Sequence, residues 1–196
     1  GAVVIAMGAW SNAARNWLNF PVPVRPLHGE VLHVRSPGNP IQLFIATARH
    51  GPLFPRRDGL LLAGSLGGVT MSGMDVDATH VFDPRDTGPW EYDLSPSEWG
   101  RNFMLEGVLK IMPALEEAEV LDHLAGVRPL SADRMPLIGP VPGWQGVYLA
   151  TGHGTKGIHL CAITGRIVAD QVVRGRTEVA VPVDAFSPER FAYLAG

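Results

Sequence analysis

The chain has 196 residues, of which 46% are hydrophobic and 18% charged, and its net charge is −3. This balance is typical of a globular protein that buries a sizeable core in one large or two small domains, and it argues against a disordered chain. No block of Lys or Arg stands out, so the sequence gives no support to a nucleic-acid partner or an anionic membrane surface.

Cysteine content and apolar runs exclude further classes. Cys161 is the single cysteine, which excludes an internal disulfide or a multi-cysteine metal site and favours a reducing, cytoplasmic location. No apolar run is long enough to span a bilayer, and no signal peptide is recognisable. The chain opens on Gly1 and enters an apolar run at once. We interpret this start as that of a truncated or excised piece; a processed N-terminus is the alternative.

The first segment predicts a strand, a turn and a helix. Val3 to Met7 is a continuous apolar run, typical of a strand buried on both faces of a parallel sheet. Gly8 would turn the chain, and Ser11 is placed to cap a short helix through Leu18. Three prolines then end the helix and favour extended structure: Pro21, Pro23 and Pro26.

The middle of the chain predicts antiparallel sheet and then a helix. Apolar runs predict strands at Val31–Val34, Ile41–Ala46, Leu53–Phe54 and Leu60–Ala63. Asp58-Gly59 between the last two runs is a strong hairpin signal. Residues 64–89 predict a long loop or edge region. Ser95 is expected to cap a helix, with Glu98 completing a capping box and Pro113 ending the helix.

The last third predicts a strand at Val120–Val127, a strand at Val147–Ala150 and a helix from Gly157 to Val173 that Gly175 stops. The two ends of the chain therefore read as parts of one layered α/β domain, and the middle reads as an inserted antiparallel sheet. The predicted fold class is mixed α/β.

The strongest local pattern is an apolar strand that runs into a glycine-rich turn and then a helix. Gly152, Gly154 and Gly157 lie in this turn, where glycine lets a ligand approach the backbone closely. The helix N-terminus adds unpaired N–H groups and a partial positive charge, which favour anions and polarised carbonyls. A tight strand–helix connection without a ligand stays an alternative. These three glycines have the spacing G-x-G-x-x-G, which on its own is a weak signal for dinucleotide binding.

Arg128 is a second candidate, at the end of an apolar run and before Pro129, which is expected to stop the strand. A fixed guanidinium can hold a carboxylate through two hydrogen bonds. A structural ion pair, for example with Asp133, is the alternative that the residues alone favour. The sequence contains neither a G-x-S-x-G nucleophile elbow nor an H-E-x-x-H metal motif, so hydrolase and metalloprotease chemistry are not indicated.

Seven segments match, in order, the motifs of one known family. They are Val3–Ser11 (V-V-x-A-x-G-A-W-S), Pro23–Glu30, Pro55–Ser65, Met112–Leu115, Gly126–Gly139 (G-[LV]-R-P-x-x-x-D-x-x-P-x-I-G), Gly152–Gly154 and Pro188–Phe191. Together they resemble the glycine oxidase/D-amino-acid oxidase family, with sarcosine oxidases as close relatives. The resemblance covers nearly the whole chain, and its colinearity is more specific than any single motif.

The resemblance implies an FAD-binding, Rossmann-like domain and an antiparallel substrate-domain sheet. Residues 1–20 would be a returning strand and helix of the FAD-binding domain, and residues 21–125 the substrate or cap domain. Residues 126–196 would be the C-terminal part of the FAD-binding domain, with the flavin-facing turn. In the family, the G-x-G-x-x-G that binds the pyrophosphate lies near the N-terminus, before every segment matched here, and no such motif stands ahead of Val3 in this sequence. The N-terminal nucleotide-binding segment is therefore expected to be missing.

The resemblance also implies roles for individual residues. Arg128 matches the arginine that binds the substrate carboxylate, and Lys156 stands where sarcosine oxidases place a lysine near that carboxylate. Glycine oxidases carry an arginine where this chain has Thr155 and a tyrosine where it has Pro52, which argues against glycine as the substrate. The expected cofactor contacts are Gly8, Gly152, His153, Gly154, Thr155, Lys156, Gly157 and Ile158.

The implied reaction is oxidation of the C–N bond of a small amino acid or amine, with FAD as the cofactor and an imine that water then hydrolyses. The expected partners are that substrate and the missing nucleotide-binding segment or a partner subunit; exposed apolar strands would also allow a homo-oligomer. Two alternatives stay open: a non-catalytic remnant, and the substrate-side subunit of a split flavin oxidoreductase.

Overall fold

The computed structural model describes residues 1–36, 38, 41–47, 51–67, 82–86, 88–90 and 92–194. Most of the loop predicted at 64–89 therefore lies outside the described residues. The chain divides into two compact units. The first comprises Gly1–Leu27, His80–Glu91 and Arg128–Gly196, and the second comprises His28–Thr79 and Tyr92–Val127. The functional division predicted from the sequence, between flavin-binding and substrate-binding parts, stays a prediction.

The described elements confirm a mixed α/β fold with two sheets. The strands are β1 (Val3–Ile5), β2 (Val24–Arg35), β3 (Ile45–Thr47), β4 (Gly51–Pro55), β5 (Leu60–Gly67), β6 (Glu119–Ser131), β7 (Leu137–Pro140) and β8 (Val147–Thr151). The α-helices are α1 (Arg15–Leu18), α2 (Glu98–Ile111) and α3 (Gly157–Arg174). Short 3₁₀ segments occur at Gly8–Ala14, Pro113–Glu117, Gly154–Lys156, Val183–Phe186 and Pro188–Leu194.

The first unit is built on a three-stranded sheet in the order β1-β8-β7. β1 runs parallel to β8, with Ile5 opposite Leu149, whereas β7 is antiparallel to β8. Buried apolar side chains form its main core: Ile5, Ala14, Leu18, Phe20, Val22, Val24, Leu137, Val141, Leu149 and Phe191. A second apolar cluster joins Ile138 of β7 to Ile167 and Val168 of α3. The helix is thereby fixed against the sheet, and its first turn is placed just beyond the end of β8.

Val3 and Val4 of β1 are 58% and 43% exposed, as expected for a chain whose apolar strands would be covered by a missing segment. The expectation that Ser11 caps a helix is wrong. Ser11 does not cap a helix but lies inside the 3₁₀ segment Gly8–Ala14, and α1 follows only from Arg15. The Ser11 hydroxyl is fully buried and hydrogen-bonds to the side chain of Thr151 instead.

The second sheet has the strand order β3-β4-β5-β2-β6. The predicted hairpin is confirmed, since β4 and β5 pair antiparallel with Leu53 opposite Ala63. Asp58 accepts a hydrogen bond from Leu60 N, and Gly59 has a φ of +82°, a value that glycine adopts without strain. The apolar core beneath α2 consists of Leu32, Val34, Leu53, Leu61, Ala63, Met104, Val108 and Leu115.

Local sequence signals predicted the end of α3 correctly but not the start of α2. α3 ends at Arg174 with Gly175 in the left-handed region, as predicted. α2 begins at Glu98 with Ser97 as its N-cap, so the expectation that Ser95 caps it is wrong. Ser97 Oγ accepts the hydrogen bond from Gly100 N at 2.9 Å, which is the contact expected of a cap at that position.

β6 is longer than the sequence predicts, because it continues through Pro129 to Ser131. A proline removes one backbone donor and is tolerated on an edge strand, and β6 is the last strand in its sheet. β7, at Leu137–Pro140, was not predicted at all; it has only four residues and ends in proline.

Arg190 ties the end of the chain to the turn after β6. Its Nε and Nη2 donate to the two carboxylate oxygens of Asp133 at 2.6 and 3.1 Å. The remaining guanidinium hydrogen bonds go to the backbone oxygens of Met135, Phe186 and Ser187. Asp133 is therefore the partner of Arg190, and the ion pair considered between Asp133 and Arg128 is not what the structure shows.

We expect Arg190→Met to destabilise the first unit, because it leaves the Asp133 carboxylate and several carbonyl groups without their charged donor. The loss in unfolding free energy should be on the order of 2 kcal/mol in a urea titration. Arg176→Met is the matched control: the Arg176–Glu178 pair is exposed on both sides and should contribute nothing measurable. Equal losses in the two variants would contradict this account of Arg190.

Candidate functional site

The candidate site lies at the carboxyl ends of the parallel strands β1 and β8. Because the two strands run in the same direction, Gly8 after β1 and Gly152 after β8 emerge at the same edge of the sheet. In α/β folds, ligands bind in the crevice outside the carboxyl ends of parallel strands. The topology therefore directs attention to the two loops that contain the predicted glycines.

A buried hydroxyl pair joins these two strand ends. Thr151 Oγ1 donates to the carbonyl oxygen of Gly8 at 3.1 Å. Its single proton is then used, so Ser11 Oγ, 2.6 Å away, donates to Thr151 Oγ1. Ser11 and Thr151 are 0% and 1% exposed. Sequence reasoning missed this pair, although a threonine directly after an apolar strand was a readable signal.

Gly152 is required by its surroundings as well as by its backbone conformation. Its φ is +78°, and a Cβ at this position would lie 3.0 Å from Leu137 Cδ1 and 3.1 Å from Ser131 Cβ. A side chain would therefore be strained and crowded at once. Ser131 is itself fully buried, and its Oγ has no hydrogen-bond partner among the described residues.

Gly8 and Gly154 present open backbone instead. Both have positive φ, at +58° and +54°, and a Cβ added to Gly8 would meet no atom within 4 Å. At Gly154 the nearest atom would be Leu130 Cδ1 at 4.0 Å. The space that a side chain would fill is thus left beside the backbone at both strand ends, so a ligand can approach it closely.

The first turn of α3 completes the glycine turn. The 3₁₀ segment Gly154–Lys156 leads directly into the helix, and no side chain caps the helix N-terminus. Thr155 and Lys156 are exposed, and the Ile158 side chain is 89% exposed. An uncapped N-terminus favours an acceptor or negative charge from outside the helix, and Ile158 adds apolar surface beside it.

The imidazole of His153 contacts a side chain of α3 and does not face the open backbone of the turn's glycines. Its Nε2 lies 3.0 Å from Thr164 Oγ1 of α3. Burial lowers the pKa of His153, which favours the neutral ring at physiological pH. The backbone of His153 pairs with Leu130 in an isolated antiparallel bridge. This bridge attaches the glycine turn to the end of β6.

The same bridge relates Arg128 to the turn. Residues two apart on a strand project from the same face, and Leu130 directs Cδ1 toward Gly154. Arg128 therefore projects from the face of β6 that carries Leu130, about 7 Å away along the strand. Burial lowers the pKa of Arg128, although a guanidinium stays charged at all ordinary pH values.

Neither a membrane-spanning helix nor a metal site is found in the part of the chain that the structure describes. No helix there combines the length and apolar character needed to cross a membrane. No group of three or more His, Cys, Asp or Glu side chains among those residues is arranged to hold a metal ion.

Comparison with known proteins identifies the family. The sequence profile described as FAD dependent oxidoreductase, the DAO family, matches residues 1–171. The chain belongs to this family. Members of the DAO family use FAD, so the cofactor expected from the sequence is that of the family.

Relatives of the chain in the DAO family include glycine oxidases. One, from Pseudomonas aeruginosa, is 29% identical over 181 residues, which cover 92% of this chain and 43% of the relative. Another relative, the hydrogen cyanide synthase subunit HcnC of Pseudomonas protegens, is 28% identical, covering 97% of this chain and 40% of its own length. The crystal structure of glycine oxidase from Geobacillus kaustophilus superposes with a TM-score of 0.77 at 29% identity, covering 95% of this chain and 44% of that protein. The chain thus spans less than half the length of these relatives.

We expect Gly152→Ala to destabilise the protein, because alanine adds both left-handed strain and the short contacts to Leu137 and Ser131. The loss in unfolding free energy should be about 1 to 3 kcal/mol. Gly165→Ala is the matched control with the opposite sign: Gly165 lies within α3 with open space around it. There alanine should stabilise by about 0.5 to 1 kcal/mol. A Gly152→Ala protein as stable as the wild type would refute the crowding argument.

Proposed function

We propose that this chain forms the flavin-facing and substrate-side part of an FAD-dependent oxidoreductase that oxidises the C–N bond of a small amino acid or amine. The observation that carries the proposal is the junction of β6 with the glycine turn. Leu130 pairs with His153, and Arg128 projects from the same strand face as Leu130. This arrangement supports a carboxylate receptor beside a turn with open backbone.

The cofactor contacts proposed for the turn fit the observed geometry. Gly8 and Gly154 leave open space beside the backbone, which suits a flat ring system. Ile158 offers exposed apolar surface, and the N-terminus of α3 has no side-chain cap. When bound, the flavin would supply the two-electron acceptor for oxidation of the amine to an imine, taking up the hydride that leaves the α-carbon. The remaining members of the proposed set, Gly152, His153, Thr155, Lys156 and Gly157, would contribute mainly backbone to this contact.

The side chains of the chain would orient the substrate and not transform it. Arg128 would hold the substrate carboxylate through two parallel hydrogen bonds. The positive end of the α3 dipole would favour negative charge that develops near the turn. His153 is a poor general base because its Nε2 contacts Thr164 Oγ1 and burial lowers its pKa, which makes the imidazole a weaker base. Such a division fits flavin chemistry, in which the protein positions the substrate and tunes the cofactor.

The proposed substrate is an amine that carries a carboxylate, and not specifically glycine. Relatives at 29% identity are named glycine oxidases, but this chain has Thr155 and Pro52 where the glycine oxidase pattern has an arginine and a tyrosine. Arg128, the proposed carboxylate receptor, is present in this sequence, so the difference would concern the rest of the substrate. A homo-oligomer stays a prediction.

A second candidate is the substrate-side subunit of a split flavin oxidoreductase. It is favoured by a relative that is named as a subunit of hydrogen cyanide synthase. The DNA upstream of the Gly1 codon separates the candidates. A continuous reading frame that encodes the family's N-terminal G-x-G-x-x-G means one enzyme, a separate gene that encodes it means a split enzyme, and neither means a remnant.

In the complete enzyme, Arg128→Lys should weaken substrate binding and leave the flavin content unchanged, because lysine keeps the charge but loses the bidentate fork. KM for a carboxylate-bearing amine should rise about 10- to 100-fold, the equivalent of 1.5 to 3 kcal/mol. Arg176→Lys, at an exposed pair, serves as the control. An unchanged KM accompanied by poor folding would favour a structural role for Arg128.

Lys156→Met in the complete enzyme tests whether the cation at the N-terminus of α3 binds an anionic group of the substrate or the flavin. A lysine at a helix N-terminus faces the positive end of the dipole, so its removal should leave stability unchanged or slightly higher. We expect a higher KM for carboxylate-bearing amines or slower flavin reduction in stopped-flow measurements. Lys110, in the last turn of α2, is the control: Lys110→Met should leave the kinetics unaltered. Wild-type kinetics in Lys156→Met would make it a surface residue.

A further inference from the structure

The second unit contains a buried carboxylate that the proposed redox site does not use. Glu30 lies on β2 and is 3% exposed. Its carboxylate reaches the N-terminus of α2, where Ser97 N donates to Oε2 at 3.1 Å and Ser97 Oγ donates to Oε1 at 2.7 Å. Ser97 is the N-cap of this helix. The carboxylate therefore binds the helix through both the backbone and the side chain of its cap.

The Ser97 hydroxyl links the carboxylate to the first turn of α2. Ser97 Oγ accepts the hydrogen bond from Gly100 N at 2.9 Å, while its own proton goes to Glu30. A hydroxyl can do both, because it has one O–H donor and two acceptor lone pairs. Gly100 makes this approach possible, since a Cβ there would lie 2.5 Å from Glu30 Oε2. The first turn of the helix is thus built around the carboxylate.

The two Ser97 contacts require acceptor atoms on both oxygens of Glu30. A backbone N–H can only donate, and the Ser97 hydroxyl has a single proton to give. An ionised carboxylate accepts through both oxygens, whereas a protonated carboxyl group carries a donor O–H on one of them. Hydrogen bonds to an ionised acceptor are also about twice as strong as those to a neutral one. Loss of the charge on Glu30 therefore weakens the hold on the cap.

The other titratable groups near Glu30, among the described residues, come from every element packed against it. His28 Nε2 of β2 lies 3.1 Å from Oε1, and His123 Nε2 of β6 lies 2.5 Å from Oε2. Asp93 precedes α2, and its carbonyl oxygen lies 3.0 Å from His28 Nδ1. α2 itself carries Glu98 in its first turn. The two imidazoles are 19% and 14% exposed, so water has limited access to the carboxylate.

The pKa of Glu30 shows which protonation state the folded unit favours. Burial alone would raise this pKa, but the hydrogen bonds from Ser97, His28 and His123 outweigh burial and hold it below its ordinary value of 4.5. The folded unit thus favours the ionised carboxylate. A group whose pKa is lowered by folding stabilises the fold above its unfolded-state pKa, and this contribution is lost as the pH falls through the folded-state pKa. The contacts at Ser97 should therefore weaken in acid.

We propose that Glu30 is an acid-sensitive fastening of α2: the ionised carboxylate holds the N-cap against β2, and protonation of that carboxylate frees the first turn of the helix. The release is local, because Met104 and Val108, further along α2, are each 2% exposed and stay anchored in the apolar core. Glu30 and Ser97 both lie in the second unit, so the inference is independent of the proposed oxidation.

The test is NMR on the chain from about pH 3 to about pH 6, a range that spans the ordinary glutamate titration. The Glu30 carboxyl carbon is titrated, and hydrogen exchange of the Ser97 and Gly100 amides is measured and corrected for the intrinsic rate at each pH. Glu30 should titrate below its ordinary value. Protection of the two amides should fall about tenfold as Glu30 takes up its proton, whereas protection of the Val108 amide should not change.

Glu30→Gln keeps the shape of the side chain but cannot ionise, so protection of the two amides should be low and should not depend on pH in this range. Glu119→Gln is the matched control. Glu119 lies on β6 in an exposed pair with Arg35, so this variant should retain the wild-type fall in protection.

Three results would overturn the proposal. In the wild type, they are a Glu30 that titrates at or above its ordinary value, and protection at Ser97 and Gly100 that either stays constant through the Glu30 titration or falls equally at Val108. In Glu30→Gln, it is the same fall as in the wild type. The wild-type spectra decide the question even if this variant fails to fold.

Discussion

The first unit depends on the parallel pairing of β1 with β8. The register that sets Ile5 opposite Leu149 also places Gly8 beside Thr151, where the threonine hydroxyl donates to the Gly8 carbonyl. A shift of one residue would turn the strand's side chains to the opposite faces, moving Ile5 out of the core and Thr151 away from Ser11. The open backbone at Gly8 and the glycine turn after β8 are adjacent only because this register holds.

The second unit solves a different problem, which is how to bury a carboxylate at a helix end. Glu30 takes the place that a side chain from the helix itself usually fills, and Ser97 bonds both to Glu30 and to Gly100. A buried charge is tolerated when its oxygens are fully paired. The partners come from β2, β6 and the segment before α2, so three separate parts of the chain must be in place before the charge is satisfied.

The sequence predicted the elements whose signals are local. The hairpin at Asp58-Gly59 and the passage from β8 through the glycine turn into α3 each depend on neighbouring residues. Long-range partners explain the misses. Ser11 has the character of a cap, but Thr151, distant in sequence, takes its hydroxyl. Ser95 and Ser97 are both reasonable caps locally, and only the helix start beside Glu30 separates them.

In the candidate site, too, local features could be predicted from the sequence and long-range contacts could not. The glycines and the exposed helix N-terminus could be recognised from residue spacing, because a tight turn needs glycine at the positions with positive φ. The partner of Asp133 could not, since Arg190 reaches it from far along the chain. The prediction that Pro129 stops the strand failed for a related reason. Whether a proline stops a strand depends on its place in the sheet, and only the strand order shows that β6 lies at an edge.

The hydroxyl pair of Ser11 and Thr151 joins residues 140 positions apart, and this separation has a consequence for biosynthesis. At ribosomal speeds of about 5 to 20 residues per second, Thr151 is made on the order of 10 s after Ser11. Until then β1 has no partner strand in β8, and Ile5, which is 7% exposed in the folded unit, cannot be buried against Leu149. The loops around Gly8 and Gly152 therefore meet only late in synthesis.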